Sequence, residues 1–472
     1  MKELIMQLKD KTAIITGGGS GFGASMADLF AKNGAKVILA EDKPRYGGTL
    51  LTDDVSIDNM SGKDWSEKII SELKTMPNVI LKNRSQVFGY YDHNMMVMFE
   101  RVGDHLSNKS KYTPRQRLWY IRAKETILST GSIERPIVFG NNDTPGVVLS
   151  SAAKEYMKVY GVLVGRKPII FTNNDSAYET AFEFKKNNVE PIILDTREEH
   201  ESEVVQEAKN KGIQIKFSYG VIVANGYKKV KSAKIGKLTK DKKSFESTET
   251  INCDCICVSG FWTPTVHLAS QSGNKLKFDE KIDAFIPDKS KQNEKTIGAA
   301  NGSFTLQETI ESGFKTGSEL SSKITDKNNE NKIPTVTETK YSVHDKFWCM
   351  PLPKNENPKR FVDFQNDVAV SDIEIALREG YRSIEHVKRY TTLGMATDQG
   401  KNSNVLGLSV LSLIKNKTMH EVGTTIFRPP FTPVPVGAFA GRSRGKHFKP
   451  FRLTPSHNWA KSNNAVFVEA GT

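Results

Sequence analysis

The chain has 472 residues, with 67 Lys and Arg against 54 Asp and Glu, a net charge of +13 with neutral histidines. Apolar residues make up 38% and charged residues 26%, a globular balance that excludes disorder over most of the chain and fits about three domains. No apolar run reaches the ~18–20 residues of a membrane-spanning helix and no signal-peptide pattern opens the chain, so a cytoplasmic protein without membrane contact is expected.

The chain opens on an apolar β run, Thr12–Thr16, followed by Gly17-Gly-Gly-Ser-Gly-Phe-Gly23. A helical pattern, Ala24–Asn33, closes at Gly34, and a second strand, Lys36–Ala40, ends at Glu41-Asp42. This is a βαβ half with an acidic pair ~20 residues past the glycines: glycines let backbone approach a pyrophosphate, and the acid accepts ribose hydroxyls. The spacing Thr16-Gly17-x-x-x-Gly21-Phe22-Gly23 resembles the opening of a short-chain dehydrogenase over about the first 40 residues. That family also needs a Tyr-x-x-x-Lys pair on a downstream helix. The two present are ill placed: Tyr120/Lys124 runs into a β segment, and Tyr227/Lys231 comes too late, in a charged stretch.

Farther on, Gly47-Gly48-Thr49 and the strand-like Glu125–Gly131, which ends at Thr-Gly before Arg135-Pro136, are similar to a flavoprotein with two dinucleotide-binding domains. A second Rossmann-like unit follows: strand Lys167–Thr172, turn Asn173–Ser176, helix Ala177–Lys186 and strand Val189–Asp195. Its turn has no glycine, so it reads as a structural insert rather than a second cofactor site. Cys253-Asp-Cys255-Ile-Cys257 is read as a strand with three buried, reduced thiols on one face. Lysines such as Lys240–Lys243 and Lys323–Lys332 are scattered among Asp, Asn and Ser, a solvated surface without any nucleic-acid signature. Lys295–Ala300, then a helix from about Leu306, return to the first domain. Asp326–Asn357 reads as a linker, Ser371–Gly380 as a helix with Ser371 as N-cap, and another helix starts near Ile384. Phe427–Pro435 is too proline-rich for helix or central strand. His93, His386 and His457 read as structural histidines.

Longer stretches carry a family resemblance: Val87–Asn94, Pro114–Trp119, Phe171–Tyr178, Val258–Pro264, Val362–Val368, Glu385–Met395, Thr397–Gly400 and Phe427–Pro430. From about Val37 onward the chain resembles the alpha subunit of heterotetrameric sarcosine oxidase. The resemblance implies a fold class of α/β type, two Rossmann-like dinucleotide-binding units followed by a small helical ferredoxin-like module. The expected domains are 1–150 with 290–325 (NAD-binding), 151–289 (inserted), 326–357 (linker), 358–425 (helical module) and 426–472 (the start of a folate domain).

It further implies a complex with beta, gamma and delta subunits. Sarcosine is oxidatively demethylated to glycine at an FAD on the beta subunit, and electrons pass through an FMN at the alpha–beta interface to give hydrogen peroxide. The one-carbon unit leaves as formaldehyde or is captured by tetrahydrofolate. NAD, without redox work, is expected at Gly18, Phe22 and Gly23, with Glu41 and Asp42 on the ribose and Lys43 and Thr49 beside it. Val87 is expected against the adenine, and Ala300 and Leu306 at the returning helix. Lys388, Arg389 and Lys401 are expected on the FMN side.

The chain departs from the family in three ways: the N-terminal ferredoxin-like domain is replaced by the short-chain-like opening, the motif's middle glycine is Ser20, and the folate domain is only begun, so folate chemistry is expected to be absent. The module resembles one that holds a [2Fe–2S] cluster, but its four ligand positions fall on Asp363, Gln365, Asp398 and Ser403. No iron–sulfur cluster is therefore expected. The alternatives are a stand-alone short-chain-type NAD-dependent reductase and a non-catalytic assembly subunit.

Overall fold

The computed structural model describes residues 12–16, 36–325, 333–338, 344–441 and 453–467. Five parallel strands form the first sheet, in the order Glu294–Thr296, Glu125–Leu128, Thr12–Thr16, Lys36–Ala40 and Val79–Lys82. Alternate residues point to opposite faces. Ile15, Val37, Leu39 and Ile127 therefore pack on one side with Ile70, Leu73 and Ile297. Ile38, Ala40 and Leu128 pack on the other with Val87, Tyr90, Met96 and Met98. Those last four belong to an antiparallel sheet, Ser85–Tyr91, Met95–Arg101 and Gln116–Arg122, that covers this face. Tyr120 lies within it as a strand residue, exposed to solvent, so it shares no helix with Lys124.

The second sheet is also parallel, in the order Val147–Leu149, Cys255–Ser259, Pro168–Thr172, Ile192–Asp195 and Gln214–Phe217. Its helices, Ser150–Tyr160, Tyr178–Lys186 and Glu203–Asn210, pack on Cys255 and Cys257, whose sulfurs lie 3.6 Å apart. Cys253 departs from the expected stripe. Strand pairing begins at Cys255 opposite Pro168, and Cys253, outside the ladder, turns into the other core with Ile256 and Val258. All three cysteines are buried and free.

The two sheets are joined by an ionic seam. Lys154 lies between Asp53 (2.7 Å) and Glu179 (2.5 Å), and Asp54 binds Lys158 (2.6 Å) and Lys186 (2.7 Å). Burial pushes the Asp54 carboxyl up, but the hydrogen bonds and charges of Lys158 and Lys186 together outweigh it and bring it down to about 2.

The stretch read as a linker does more than connect. Val138 and Met350 exchange backbone hydrogen bonds with the chain at 348–350 and 138 (both 2.8 Å), and Phe347, Trp348 and Met350 are buried in two cores. Four consecutive apolar residues, Phe347 to Met350, were diluted in a composition dominated by Lys, Asn and Pro. Helices Val370–Arg378, Ile384–Thr391 and Ser403–Lys415 then enclose Val362, Ile373, Val387, Leu406 and Leu411 against Trp348 and Val138. The second of these starts at Ile384 as expected, and the Ser383 side chain caps it by accepting from the His386 N–H. Ser371 does not cap the first: that helix starts one residue earlier, and the Ala369 N–H donates to Asp372 Oδ2 (2.8 Å). Residues 427–435 form neither helix nor strand. Among the described residues no helix is long and apolar enough to cross a membrane.

The seam yields a stability test. Replacing Lys154 by Ala leaves two acids facing each other with their shared cation gone, and breaking such a pair costs ~3 kcal/mol. Urea denaturation should show the loss; a midpoint equal to wild type would contradict the seam's role.

Candidate functional site

The carboxyl ends of parallel strands are where α/β sheets bind nucleotides. At the tip of Lys36–Ala40, the Glu41 N–H donates to Lys82 O and its carbonyl accepts from Ser85 N (both 2.8 Å). Its side chain is only 4% exposed. Burial first, then a hydrogen bond and repulsion from Asp42, push the Glu41 carboxyl up to about 9, although the Lys43 N–H donates to it (2.8 Å). Glu41 is therefore neutral at pH 7, and Asp42, exposed beside it, is the member of the pair open to a ligand.

The other expected contacts divide. Val87 is buried in the same cluster as Ala40, beneath this edge. Lys43 and Thr49 are exposed, and Lys43 is drawn to Glu155 (2.9 Å). Ala300 is fully buried in the turn Gly298–Asn301. Leu306 opens its helix as expected, but the N–H groups of Leu306 and Gln307 already donate to the two carboxylate oxygens of Glu338 (2.7 and 3.0 Å). Nothing in the local sequence marks Glu338 as that cap, since it lies a whole helix away. Gly18, Ser20, Phe22 and Gly23 lie outside the described residues.

The corresponding edge of the second sheet is filled by the chain itself. Asn174 Oδ1 accepts from the Ser176 N–H (3.1 Å), and Arg197 bridges Asp195 (2.7 Å) and Asp175 (2.8 Å). Tyr178 donates to Asp195 (2.8 Å), and Asn173 exchanges hydrogen bonds with the backbone of Asp345. A pyrophosphate finds two buried acids here and no glycine.

In the helical module, Asp363 accepts three backbone N–H groups, from Gln365 (2.9 Å), Asn366 (3.2 Å) and Gly394 (2.7 Å). Asp398 accepts from Gly400 (3.1 Å), and Ser403 is buried. This donor set of carboxylates, amide and hydroxyl does not suit iron–sulfide, which wants thiolates. Among the described residues no group of three His, Cys, Asp or Glu side chains is arranged to hold a metal ion.

The three basic residues of the module do not form one patch. Lys388 is buried beside Arg428, and Arg389 is exposed and pairs with Glu385 (3.7 Å). Lys401 lies over the Phe431 ring (5.1 Å) and in the field of Asp42, on the first sheet. His93 and His386 are exposed. Among the described residues the buried histidines are His267 and His344, neither singled out by its sequence surroundings. Burial pushes both down to about 3, with Lys401 adding to the effect at His267 and Arg135 at His344.

Residues 357–442 match the family model of the sarcosine oxidase A3 domain. The chain is 36% identical over 471 residues to the sarcosine oxidase subunit alpha of Rhizobium meliloti (strain 1021), covering 97% of this chain and 45% of that one. It thus spans less than half the length of that relative. By contrast, a tropinone reductase-like protein of Erythroxylum coca is 52% identical over 46 residues, only 10% of this chain and 17% of its own. Among solved structures, L-proline dehydrogenase from P. horikoshii superposes with a TM-score of 0.65 at 20% identity, over 91% of this chain and 79% of its own. The fold is that of flavoproteins with two dinucleotide-binding units, as expected, and the chain is a homologue of sarcosine oxidase alpha subunits over nearly its whole length.

The neutral Glu41 makes stability depend on pH. Its folded value of about 9 lies above the ordinary 4.5, so the folded chain holds an extra proton between these limits. Stability from this group is complete below the lower limit and is lost as pH rises toward the upper, by at most about 1.4 kcal/mol per pH unit. Glu41→Gln should match wild type in urea unfolding at pH 5 and exceed it at pH 8.5. A difference that stays constant with pH would contradict a buried neutral acid.

Proposed function

We propose that this chain is the NAD-binding part of a sarcosine oxidase alpha subunit, acting in a complex with beta, gamma and delta subunits. The observation that supports this most is the likeness over 97% of the chain to one such subunit, joined to the A3-domain match at residues 357–442. The proposed reaction takes sarcosine, water and oxygen to glycine, formaldehyde and hydrogen peroxide. Flavins supply the redox chemistry when bound, FAD on the beta subunit and FMN where alpha meets beta.

The chain's own work is binding. In this reading Gly18, Phe22 and Gly23 admit the pyrophosphate of NAD, and the exposed Asp42 accepts the adenosine ribose hydroxyls. Neutral Glu41 fixes Asp42 from below through their shared hydrogen bond. An exposed carboxylate at this place repels a 2′-phosphate, so NAD is favoured over NADP. Lys43 and Thr49 flank the site, Val87 forms its apolar floor, and Ala300 and Leu306 border it from the returning chain. Lys388 and Arg389 are the cations offered toward FMN; Lys401, expected with them, lies over Phe431 near Asp42 and is set apart from that pair. No iron–sulfur cluster is part of the proposal, because the donors at 363, 365, 398 and 403 are oxygens and an amide. A cytoplasmic location and sarcosine as substrate belong to the same reading.

The test is co-expression with a beta subunit, followed by a visible spectrum and identification of released nucleotides. NAD and flavin should both be recovered, and Asp42→Ala should lower the NAD content at least severalfold while leaving the flavin spectrum unchanged. Recovery of NADP in place of NAD, or full NAD occupancy in the variant, would overturn the assignment.

A further inference from the structure

We propose that the helical module completes the nucleotide site of the first sheet: Lys401 binds a phosphate of the dinucleotide, and His267 hydrogen-bonds a polar group of the same ligand. This rests on the reading of that sheet as the NAD site and adds two residues that lie far from the glycine turn in sequence.

The geometry converges on the carboxyl edge. Phe431 packs in one cluster with Ala40 and Leu128, the last residues of the two strands that flank Thr12–Thr16, and with Val87. The segment is pinned there by Thr432, whose hydroxyl donates to Gln86 Oε1 (2.8 Å). Thr265 is tied to the end of the Glu125–Leu128 strand: the Thr130 hydroxyl donates to its carbonyl (2.9 Å), and its N–H donates to Gly131 O (3.0 Å). Two residues on, His267 stacks on Phe431 (4.9 Å, 19° between planes) and touches Phe427 (4.2 Å). Lys401 lies over the other partner of that stack, Phe431.

Two unmet needs point to a ligand. His267 is 3% exposed, and neither ring nitrogen has a hydrogen-bond partner. Buried polar atoms are nearly always paired, so a doubly orphaned imidazole marks a missing partner. A neutral imidazole offers one donor and one acceptor, which suits a sugar hydroxyl or a carboxamide. Lys401 is half-buried, with Asp42 and Asp398 near enough to be felt, and it makes no hydrogen bond or ion pair with another described residue. A desolvated ammonium in that state is stabilised by an anion, and a phosphate brings one. Asp42 for hydroxyls and Lys401 for phosphate form a complementary pair at the same edge.

Calorimetry on the whole chain with NAD, ADP and adenosine separates the possibilities. Wild type should bind NAD and ADP more tightly than adenosine. Lys401→Gln should weaken NAD and ADP by roughly tenfold and leave adenosine unchanged, whereas Lys401→Arg should retain most of the affinity. His267→Phe, which keeps the aromatic stack, should weaken NAD severalfold without lowering the melting temperature. Equal NAD affinity in Lys401→Gln, or an equal loss for adenosine, would overturn the phosphate contact; unchanged NAD affinity in His267→Phe would make the ring a packing residue only. If wild type binds neither NAD nor ADP, the underlying reading of the first sheet fails instead.

Discussion

Glu41 sits at the tip of a strand whose last four residues, Val37 to Ala40, are all buried, and its carboxyl has no bulk water to ionise into. The rest of the candidate site is arranged around that desolvation. The proton stays on Glu41, held there by burial first and then by the hydrogen bond and repulsion from Asp42. Asp42, exposed beside it, is the member of the pair that faces solvent. The same burial allows Ala40, Val87 and Phe431 to form an apolar floor directly beside a charged rim. A pocket with an apolar body and a few placed polar groups is the usual form of a small-molecule site.

Charge is also managed at the other helix starts. A helix N-terminus attracts anions, and this chain satisfies several of its own. Glu134, buried, accepts from the N–H and hydroxyl of Ser151 at the start of Ser150–Tyr160 (both 2.7 Å). Glu338 takes the first N–H groups of the helix that begins at Leu306. Asn174 and buried Asp175 occupy the turn before Tyr178–Lys186. Each of these positions in a two-unit nucleotide fold is a place where a phosphate competes with a side chain already in position. The glycine-rich sequence 17–23, by its composition, brings no acid of its own. One phosphate seat, in the first unit, is the arrangement these residues favour.

Local pattern and long-range packing were legible to very different degrees. The strands Thr12–Thr16 and Lys36–Ala40, the helix beginning at Leu306 and the helix start at Ile384 follow from periodicity and glycines that act over a few residues. The fate of 344–350 did not, because a linker-like composition concealed an apolar run that finds its partner at Val138. Cys253 fell out of its expected stripe because the ladder begins only at Cys255, opposite Pro168 on the neighbouring strand. Lys401 was expected on the FMN side and not beside the first sheet, and His267 was not marked as a site residue, for the same reason. One lies in a glycine-rich loop of the helical module and the other at the start of a short helix, and only tertiary packing brings both to Phe431.

Hydrogen–deuterium exchange of the whole chain with and without NAD tests the central claim most directly, because it reports where the nucleotide sits without presuming any residue. A site at the carboxyl edge of the first sheet predicts slowed exchange at residues 40–50 together with 398–402 and 427–432, and no change at 173–178. Protection confined to 173–178, on the second sheet, would contradict it.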